Sequence, residues 1–271
     1  MNVIKVYGGL GNQMFQYALG RTLMERNDDV AFDISWYDSG ASKNPVREYL
    51  LEKFMTSVHT SSFLKQKTVH EDSSMYFKFF PHLLDAINTN FFGYWQNVKY
   101  FENVLPLLKY DFKLRRDIEA PASFWQLKEQ IVLQQETVAI HIRRGDFLTP
   151  GHYLPPLTYY KEALLDLLKS KCGIKEIYIF SDDVAWCKEH FPKYVIVDEV
   201  DYLSFDLMRS CKHKILSNST FSWWAAVLGE KSDGATYVPE RWRLNEQEEE
   251  AVRQGGLIKE NWIQYADKKP T

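Results

Sequence analysis

The feature that most restricts the fold of this chain is a pattern that recurs along it: a short apolar run, a cluster of glycine or small polar residues, then an amphipathic segment. Residues 3–7 read as a strand, interrupted by Gly8, Gly9 and Gly11. Phe15, Leu19, Thr22 and Leu23 then share one side of a predicted helix that begins near Asn12 or Gln13 and ends around residues 26–27. A second strand is predicted over residues 30–34. Strand, turn, helix and strand in this order predict a βαβ unit, hence a parallel sheet.

The pattern returns further on. Residues 137–142 form an apolar strand with His141 near its end and Arg143-Arg144-Gly145-Asp146 at its edge. A helix over 157–171 follows, then a strand over 176–180 ending in Ser181-Asp182-Asp183, a short helix over 184–190 and a strand over 194–197. A helix over 204–211, a strand over 214–216 and a helix over 220–228 after Ser217-Asn218-Ser219 complete the series. A series of this length has its own core, so the reading is two domains, 1–135 and 136–271, with a helix over 121–134 closing the first and the last helix free to cross back onto it. Between them, residues 45–110 are crowded with aromatics and carry no sustained period. These rings read first as core and second as a surface that stacks on sugars. Residues 91–95 suggest a strand that delivers Trp95 and Gln96 to a cleft.

Composition excludes several classes. The 33 Lys and Arg against 36 Asp and Glu give a net charge of -3, too small for a nucleic-acid binder or a solvating tail. With 45% hydrophobic residues in 271, a disordered, collagenous or coiled-coil chain is also excluded. The three cysteines show no CxxC and read as buried or spectator thiols of a reducing compartment. The N-terminus lacks the pattern of a signal peptide, and no stretch approaches the roughly 18 apolar residues of a membrane span, so the expected location is cytoplasmic.

Ligands of parallel α/β sheets bind beyond the carboxyl ends of the strands, where the three polar clusters are expected to converge on one cleft. Strand alternation sends His141 and Arg143 to one face and Ile142 to the other. Arg143 offers a bidentate fork to a diphosphate, whereas Arg144 and Asp146 suit a structural ion pair; both arginines also suit interdomain salt bridges. Ser217, Ser219, Thr220 and Ser222 begin a helix whose orphan amides favour an anion, although any one of them serves equally as an ordinary cap. The glycines at 8, 9 and 11 match neither GxGxxG nor a P-loop, and suit a close turn that places Asn12 and Gln13 in the interdomain cleft. Asp182-Asp183 suggests a helix cap more than a magnesium site, and the histidines form no zinc pattern. Glu248-Glu249-Glu250 reads as a solvated helix face and residues 268–271 as a frayed tail.

The segments GGLGNQMFQYALG (8–20), HIRRGDF (141–147), FSDDVAWCK (180–188) and SNSTFSWWAAVL (217–228), in this order, resemble the bacterial α-1,2-fucosyltransferases of glycosyltransferase family 11. The resemblance implies a GT-B-like α/β fold, two Rossmann-like domains facing each other across a deep cleft, with 1–135 the acceptor-side domain and 136–271 the GDP-fucose-binding one. It implies an inverting enzyme that uses GDP-β-L-fucose, requires no metal or other cofactor, and fucosylates the 2-hydroxyl of a terminal galactose in a glycan. By the same resemblance Arg143 binds the diphosphate, His141 and Asp206 face the guanine, Ser219, Thr220 and Ser222 hold phosphate or ribose, and Gly9 and Gly11 line the donor site. Asn12 lies near the fucose and acceptor, and Asp146 or Asp33 are candidate bases. A role in O-antigen or polysaccharide assembly, with peripheral association at the inner face of the membrane where glycolipid acceptors are made, is implied too. Three other readings stand beside it: the same scaffold with another sugar or linkage, a noncatalytic carbohydrate binder using the eight tryptophans and sixteen tyrosines, and a bare nucleotide-binding structural protein.

Overall fold

The computed structural model describes residues 1–26, 29–40 and 46–265, so the expected helix end at residue 27 and the tail over 268–271 lie outside the described residues. The chain has a GT-B-like two-domain architecture. One compact unit comprises Met1–Ile118 with Glu250–Leu257, the other Glu119–Glu249 with Ile258–Thr271.

The first unit carries β1 (Asn2–Lys5), α1 (Leu10–Glu25), β2 (Val30–Asp33), β3 (Lys67–His70), β4 (Thr89–Phe92) and α2 (Leu105–Asp111). Its sheet has the order β2-β1-β4-β3 with every pairing parallel, as the βαβ pattern requires. Helix α1 starts earlier than the sequence suggests because Gly8 alone makes the turn, at φ 82°, a conformation open to glycine at little cost. Gly9 is therefore the N-cap and Gly11 lies inside the first helical turn, buried. Twelve of the sixteen residues of α1 are buried, which blurs the amphipathic stripe a surface helix would show. Among them, Gln13 donates to the carbonyls of Gly8 (3.1 Å) and Glu48 (2.8 Å) and accepts from the Leu50 amide (2.9 Å). It is a fully buried clamp on its own unit, where a cleft residue was expected. One turn on, Gln16 accepts from the Tyr7 amide and donates to the Gly93 carbonyl, both at 3.1 Å, tying the loop after β1 to the loop after β4.

The aromatic middle divides by burial. Phe91, Trp95, Tyr100 and Phe101 are core, whereas Tyr76, Phe92 and Tyr94 are half-buried. Because β4 stops at Phe92, Trp95 is not on the strand; it sits in the core, fully buried, and Gln96 is buried beside it.

The second unit contains α3 (Ala122–Gln134), β5 (Thr137–Ile142), α4 (Leu157–Ser170), β6 (Glu176–Ser181), α5 (Val184–His190), β7 (Val195–Val197), α6 (Asp201–Ser210), β8 (His213–Ile215), α7 (Thr220–Leu228) and β9 (Thr236–Pro239). After α8 (Glu246–Gln254) the chain returns with β10 (Ile263–Tyr265). The sheet is again parallel, in the order β10-β9-β8-β5-β6-β7. Val138, Ile140 and Ile142 of β5 pack with Ile177 and Ile179 of β6 and with Tyr159, Tyr160, Leu164 and Leu167 of α4. Both faces of β5 are covered, which is why it reads as a continuous apolar run.

The division into units falls ahead of α3, whereas the sequence-based boundary falls after it. Phe124 and Ile131 bury the inner face of α3, which packs on α6. Helix α8 begins in the second unit and ends in the first, where Ala251 and Val252 are buried. Its Glu249 is not part of a solvated face: it is buried and accepts from the Trp242 (2.8 Å) and Arg243 (2.7 Å) amides. Cys187 and Cys211 are buried and Cys172 exposed, all as free thiols. Among the described residues no helix is long and apolar enough to cross a membrane.

Candidate active site

In the second unit the chain runs from β5 through β6 to β7 on one side, then reverses to β8, β9 and β10 on the other. Such a reversal opens a crevice at the carboxyl ends of the two central strands, here β5 and β8. His141, Arg143 and the Ser217–Thr220 segment all lie at that point.

His141 is buried in the last turn of β5, with Nδ1 2.7 Å from Ser217 Oγ and its ring stacked on Phe221 at 5.2 Å. Burial, aided by the nearby Arg143 charge, pulls its pKa down to about 3, so the imidazole is neutral at physiological pH. A neutral ring supplies a hydrogen bond to a ligand but no positive charge. The shift carries a stability consequence. Below about pH 6.5 the unfolded imidazole takes up a proton that the folded one refuses, so stability falls as pH drops from there toward 3. At pH 5 the expected loss is ~2 kcal/mol. Urea denaturation at pH 7 and pH 5 checks this: the wild type should lose that increment, and His141→Phe should lack it whatever its baseline.

Arg143 follows, with its guanidinium held from two sides. Nε (2.9 Å) and Nη2 (2.6 Å) bond Asp146 Oδ1, and Nη1 lies 3.0 Å from Asp182 Oδ2. The sequence-based pairing of Asp146 with Arg144 is thus corrected. The short 3-10 turn Asp146–Leu148 folds Asp146 back on Arg143, while Arg144 pairs with Asp183 at 3.0 Å and lies 4.2 Å over the Trp186 ring. Asp183 also caps α5 by accepting from the Trp186 amide at 3.1 Å, as the sequence suggested; the Trp186 amide first, and then Arg144, hold its carboxyl below the usual range. Asp182, missed as a site residue, completes the frame by accepting from the Arg144 amide at 2.9 Å. Gly145 admits it, since a Cβ there would fall 2.5 Å from Asp182 Oδ2.

The start of α7 supplies the other half. Ser219, the N-cap, makes no capping hydrogen bond, and Ser219, Thr220 and Phe221 are half-buried. Ser222 is different: it is fully buried and its hydroxyl donates to the carbonyls of Ser217 (3.2 Å) and Ser219 (3.1 Å), which shapes the turn rather than facing a ligand. Ser217 is likewise buried, and Asn218 donates to the carbonyls of Tyr153 (2.9 Å) and Trp242 (3.0 Å). The opposite end of α7 is closed by buried Lys214, whose ammonium donates to the carbonyls of Cys211 (2.6 Å) and Gly229 (2.9 Å). A cation at that end complements the helix dipole and leaves the positive pole at Ser219.

Asp206 sits on α6 beside Phe205, whose ring meets Phe221 edge-on at 5.6 Å. It is in mid-helix and buried, not a cap. Its Oδ2 lies 2.5 Å from Lys128 Nζ of α3, an ion pair that joins the two helices.

Asn12, Gly9 and Gly11 belong to the first unit, where Asn12 accepts from Gln96 Nε2 at 3.0 Å. Asp33, considered as a base, is buried, pairs with Lys5 (3.1 Å) and accepts from the Ser35 (3.0 Å) and Phe63 (3.2 Å) amides. Its bonds with Ser35 and Lys5 outweigh burial and keep its carboxyl below the usual range, which makes it a poor base. Among the described residues no group of three or more His, Cys, Asp or Glu is placed to hold a metal ion.

Two parallel-sheet units, one with an arginine fork and a helix N-terminus at its switch point, define a glycosyltransferase-like architecture of the GT-B type. The sequence profile of glycosyl transferase family 11 matches residues 1–266, and the chain belongs to that family. It is 29% identical to the Escherichia coli O-antigen biosynthesis glycosyltransferase WbnK, over 87% of this chain and 92% of that one. It is 27% identical to an alpha-1,2-colitosyltransferase of Escherichia coli (89% and 91%) and 24% identical to the galactoside alpha-(1,2)-fucosyltransferase 2 of Rattus norvegicus (84% and 67%). The fold is shared with the fucosyltransferase NodZ from Bradyrhizobium, at a TM-score of 0.56 and 15% identity over 84% of this chain and 92% of that one.

Proposed function

We propose that this transferase moves L-fucose from GDP-β-L-fucose, with inversion, to the 2-hydroxyl of a terminal galactose, in the assembly of a surface polysaccharide. The observation that carries the reading is the placement of both Arg143 and the N-terminus of α7 at the β5/β8 switch point. In the reaction the galactose oxygen attacks the anomeric carbon from the face opposite the phosphate. The bond from that carbon to the phosphate oxygen breaks, its electron pair stays on GDP, and the acceptor proton is released. Charge therefore develops on the diphosphate, where a guanidinium and preorganised amides act most strongly. Asp146 and Asp182 orient the Arg143 fork in this scheme; with its Oδ1 on that guanidinium, Asp146 is a positioning carboxylate rather than the base. The phosphates lie against Ser219 and Thr220, His141 and Asp206 read the base, and Asn12 of the first unit contacts the transferred sugar. The similarity to a colitosyltransferase supports a second reading, in which the donor carries colitose, the 3-deoxy form of L-fucose.

Both readings meet leaving-group charge with protein groups, so transfer is expected to survive extensive EDTA treatment. The test is a galactoside acceptor incubated, with EDTA present, with GDP-β-L-fucose or with the nucleoside diphosphate derivative of colitose. Preference for the fucosyl donor supports the first reading and preference for the other supports the second. Inactivation by chelation that one added metal reverses would contradict the charge argument.

A further inference from the structure

The first unit has a switch point of its own. Its chain runs from β1 to β2 on one side and then to β3 and β4 on the other, so the order β2-β1-β4-β3 opens a crevice at the carboxyl ends of β1 and β4. Tyr7 lies two residues beyond β1, Phe92 ends β4, and Tyr94 lies two residues beyond it. Tyr7 stands at their centre, with ring centroids 4.7 Å from Tyr94, 5.1 Å from Phe92 and 6.3 Å from Trp36. Each of the four is half-buried, unlike the fully buried Phe91 and Trp95 next to them. A wall of partly open rings, some with hydroxyl tips, suits the apolar face of a pyranose and its polar rim.

A carboxyl is built into this wall. Glu71 directly follows β3, and its Oε2 accepts from the Tyr94 (2.5 Å) and Trp95 (3.1 Å) amides. Two features of the chain accommodate that. At residue 93 a Cβ would fall 2.4 Å from the Glu71 Cβ and 2.8 Å from Oε2, so only glycine fits. Trp95, one of the two amide donors, takes φ 57°, a left-handed value that is costly for a bulky side chain. Gln16 fixes the two loops by bonding the Tyr7 amide and the Gly93 carbonyl. Oε1, by contrast, makes no hydrogen bond among the described residues, and Glu71 is only half-buried.

We propose that this crevice is the acceptor subsite: Glu71 Oε1 accepts a hydrogen bond from a hydroxyl of the terminal sugar, and Tyr7 and Tyr94 stack on its ring. This rests on the reading of the protein as a galactoside transferase. Glu71 is thereby a specificity-determining residue for the acceptor, with no role toward the nucleotide. Burial pushes its carboxyl up to about 7, against the pull of the two amides. The groups around it are Asp72 and His70 on its own segment and Tyr7, Tyr76, Tyr94 and Tyr100 from the others. Tyr7 and Tyr100 are raised by burial and stay protonated, while hydrogen bonds from Ser74 keep Asp72 ionised. As the charged carboxylate is the stronger acceptor, the acceptor KM should fall as pH rises from about 6 to about 8.

The experiment measures KM for a β-galactoside and for GDP-β-L-fucose across that range, in the wild type, Glu71→Gln and His70→Gln. Glu71→Gln retains an oxygen for the two amides, and is expected to raise the acceptor KM about tenfold at pH 8, flatten its pH dependence and move the donor KM less than twofold. His70→Gln should keep the wild-type pH dependence. An acceptor KM unaltered by Glu71→Gln, or donor and acceptor KM raised alike, would overturn the assignment. Saturation-transfer NMR of the galactoside on the wild type and Glu71→Gln, without donor, reads the subsite separately. Binding that depends on Glu71 supports the subsite even if GDP-fucose proves to be the wrong donor, and binding indifferent to Glu71 removes it even if transfer occurs.

Discussion

Arg143→Ala is expected to lower kcat/KM by about a hundredfold to a thousandfold while shifting the melting temperature by only a few degrees. The side chain lies just beyond the carboxyl end of β5 and touches no core residue in its ion pairs with Asp146 and Asp182. What it loses is the fork on which negative charge accumulates as the donor bond breaks. Arg143→Lys should recover little, since an ammonium cannot reproduce the planar fork. Steady-state kinetics beside a thermal melt decide the point, and near-normal turnover in a folded Arg143→Ala protein would remove the residue from the mechanism.

The second large effect is expected in base selectivity. Guanine presents N1 and N2 donors on one edge and adenine does not, so Asp206→Ala should weaken GDP binding by about 1.5 to 3 kcal/mol, roughly tenfold or more, and leave ADP nearly unaffected. Asp206 is buried with its Oδ2 2.5 Å from Lys128 Nζ, so guanine donors would share the carboxylate with that ammonium. Lys128 complicates the variant, because deleting the carboxylate strands an ammonium 2.5 Å away and lowers stability. Lys128→Met separates the two effects: it removes the ion pair but should preserve the preference for GDP over ADP. Calorimetric titration of the variants with both nucleotides provides the measurement. Equal losses for GDP and ADP would make Asp206 a structural partner of Lys128 and leave the base to another residue.

The second unit was legible as far as α7 because β5, β6 and β7 are runs of three to six mostly apolar residues followed by polar clusters, and the clusters after β5 and β6 belong to the candidate site; β9, β10 and the bounds of α8 were not read. Arg143 and Ser219 stood out for that reason. Their partners did not. The contact of Asp182 with Arg143 joins the ends of adjacent strands, and Asp146 reaches Arg143 through a 3-10 turn, a geometry with no sequence period. Ser222 looked like a phosphate ligand because a hydroxyl at a helix start carries no mark of which way it bonds. In the first unit the described chain between β2 and α2 sets the four-residue strands β3 and β4 among short 3-10 turns and left-handed residues at Phe77, Asn88 and Trp95, so no sustained period develops. Glu71 had no motif at all; only the strand order and the geometry at Gly93 bring it forward.

The central claim is the linkage formed, and it is tested most directly by incubating the protein with GDP-β-L-fucose and a β-galactoside and determining the product by NMR. The account predicts one new α-configured fucosyl residue, with a through-bond correlation from its anomeric proton to C2 of galactose. A β-configured fucosyl residue, attachment at any other position, or a product formed only from a different sugar donor would contradict it.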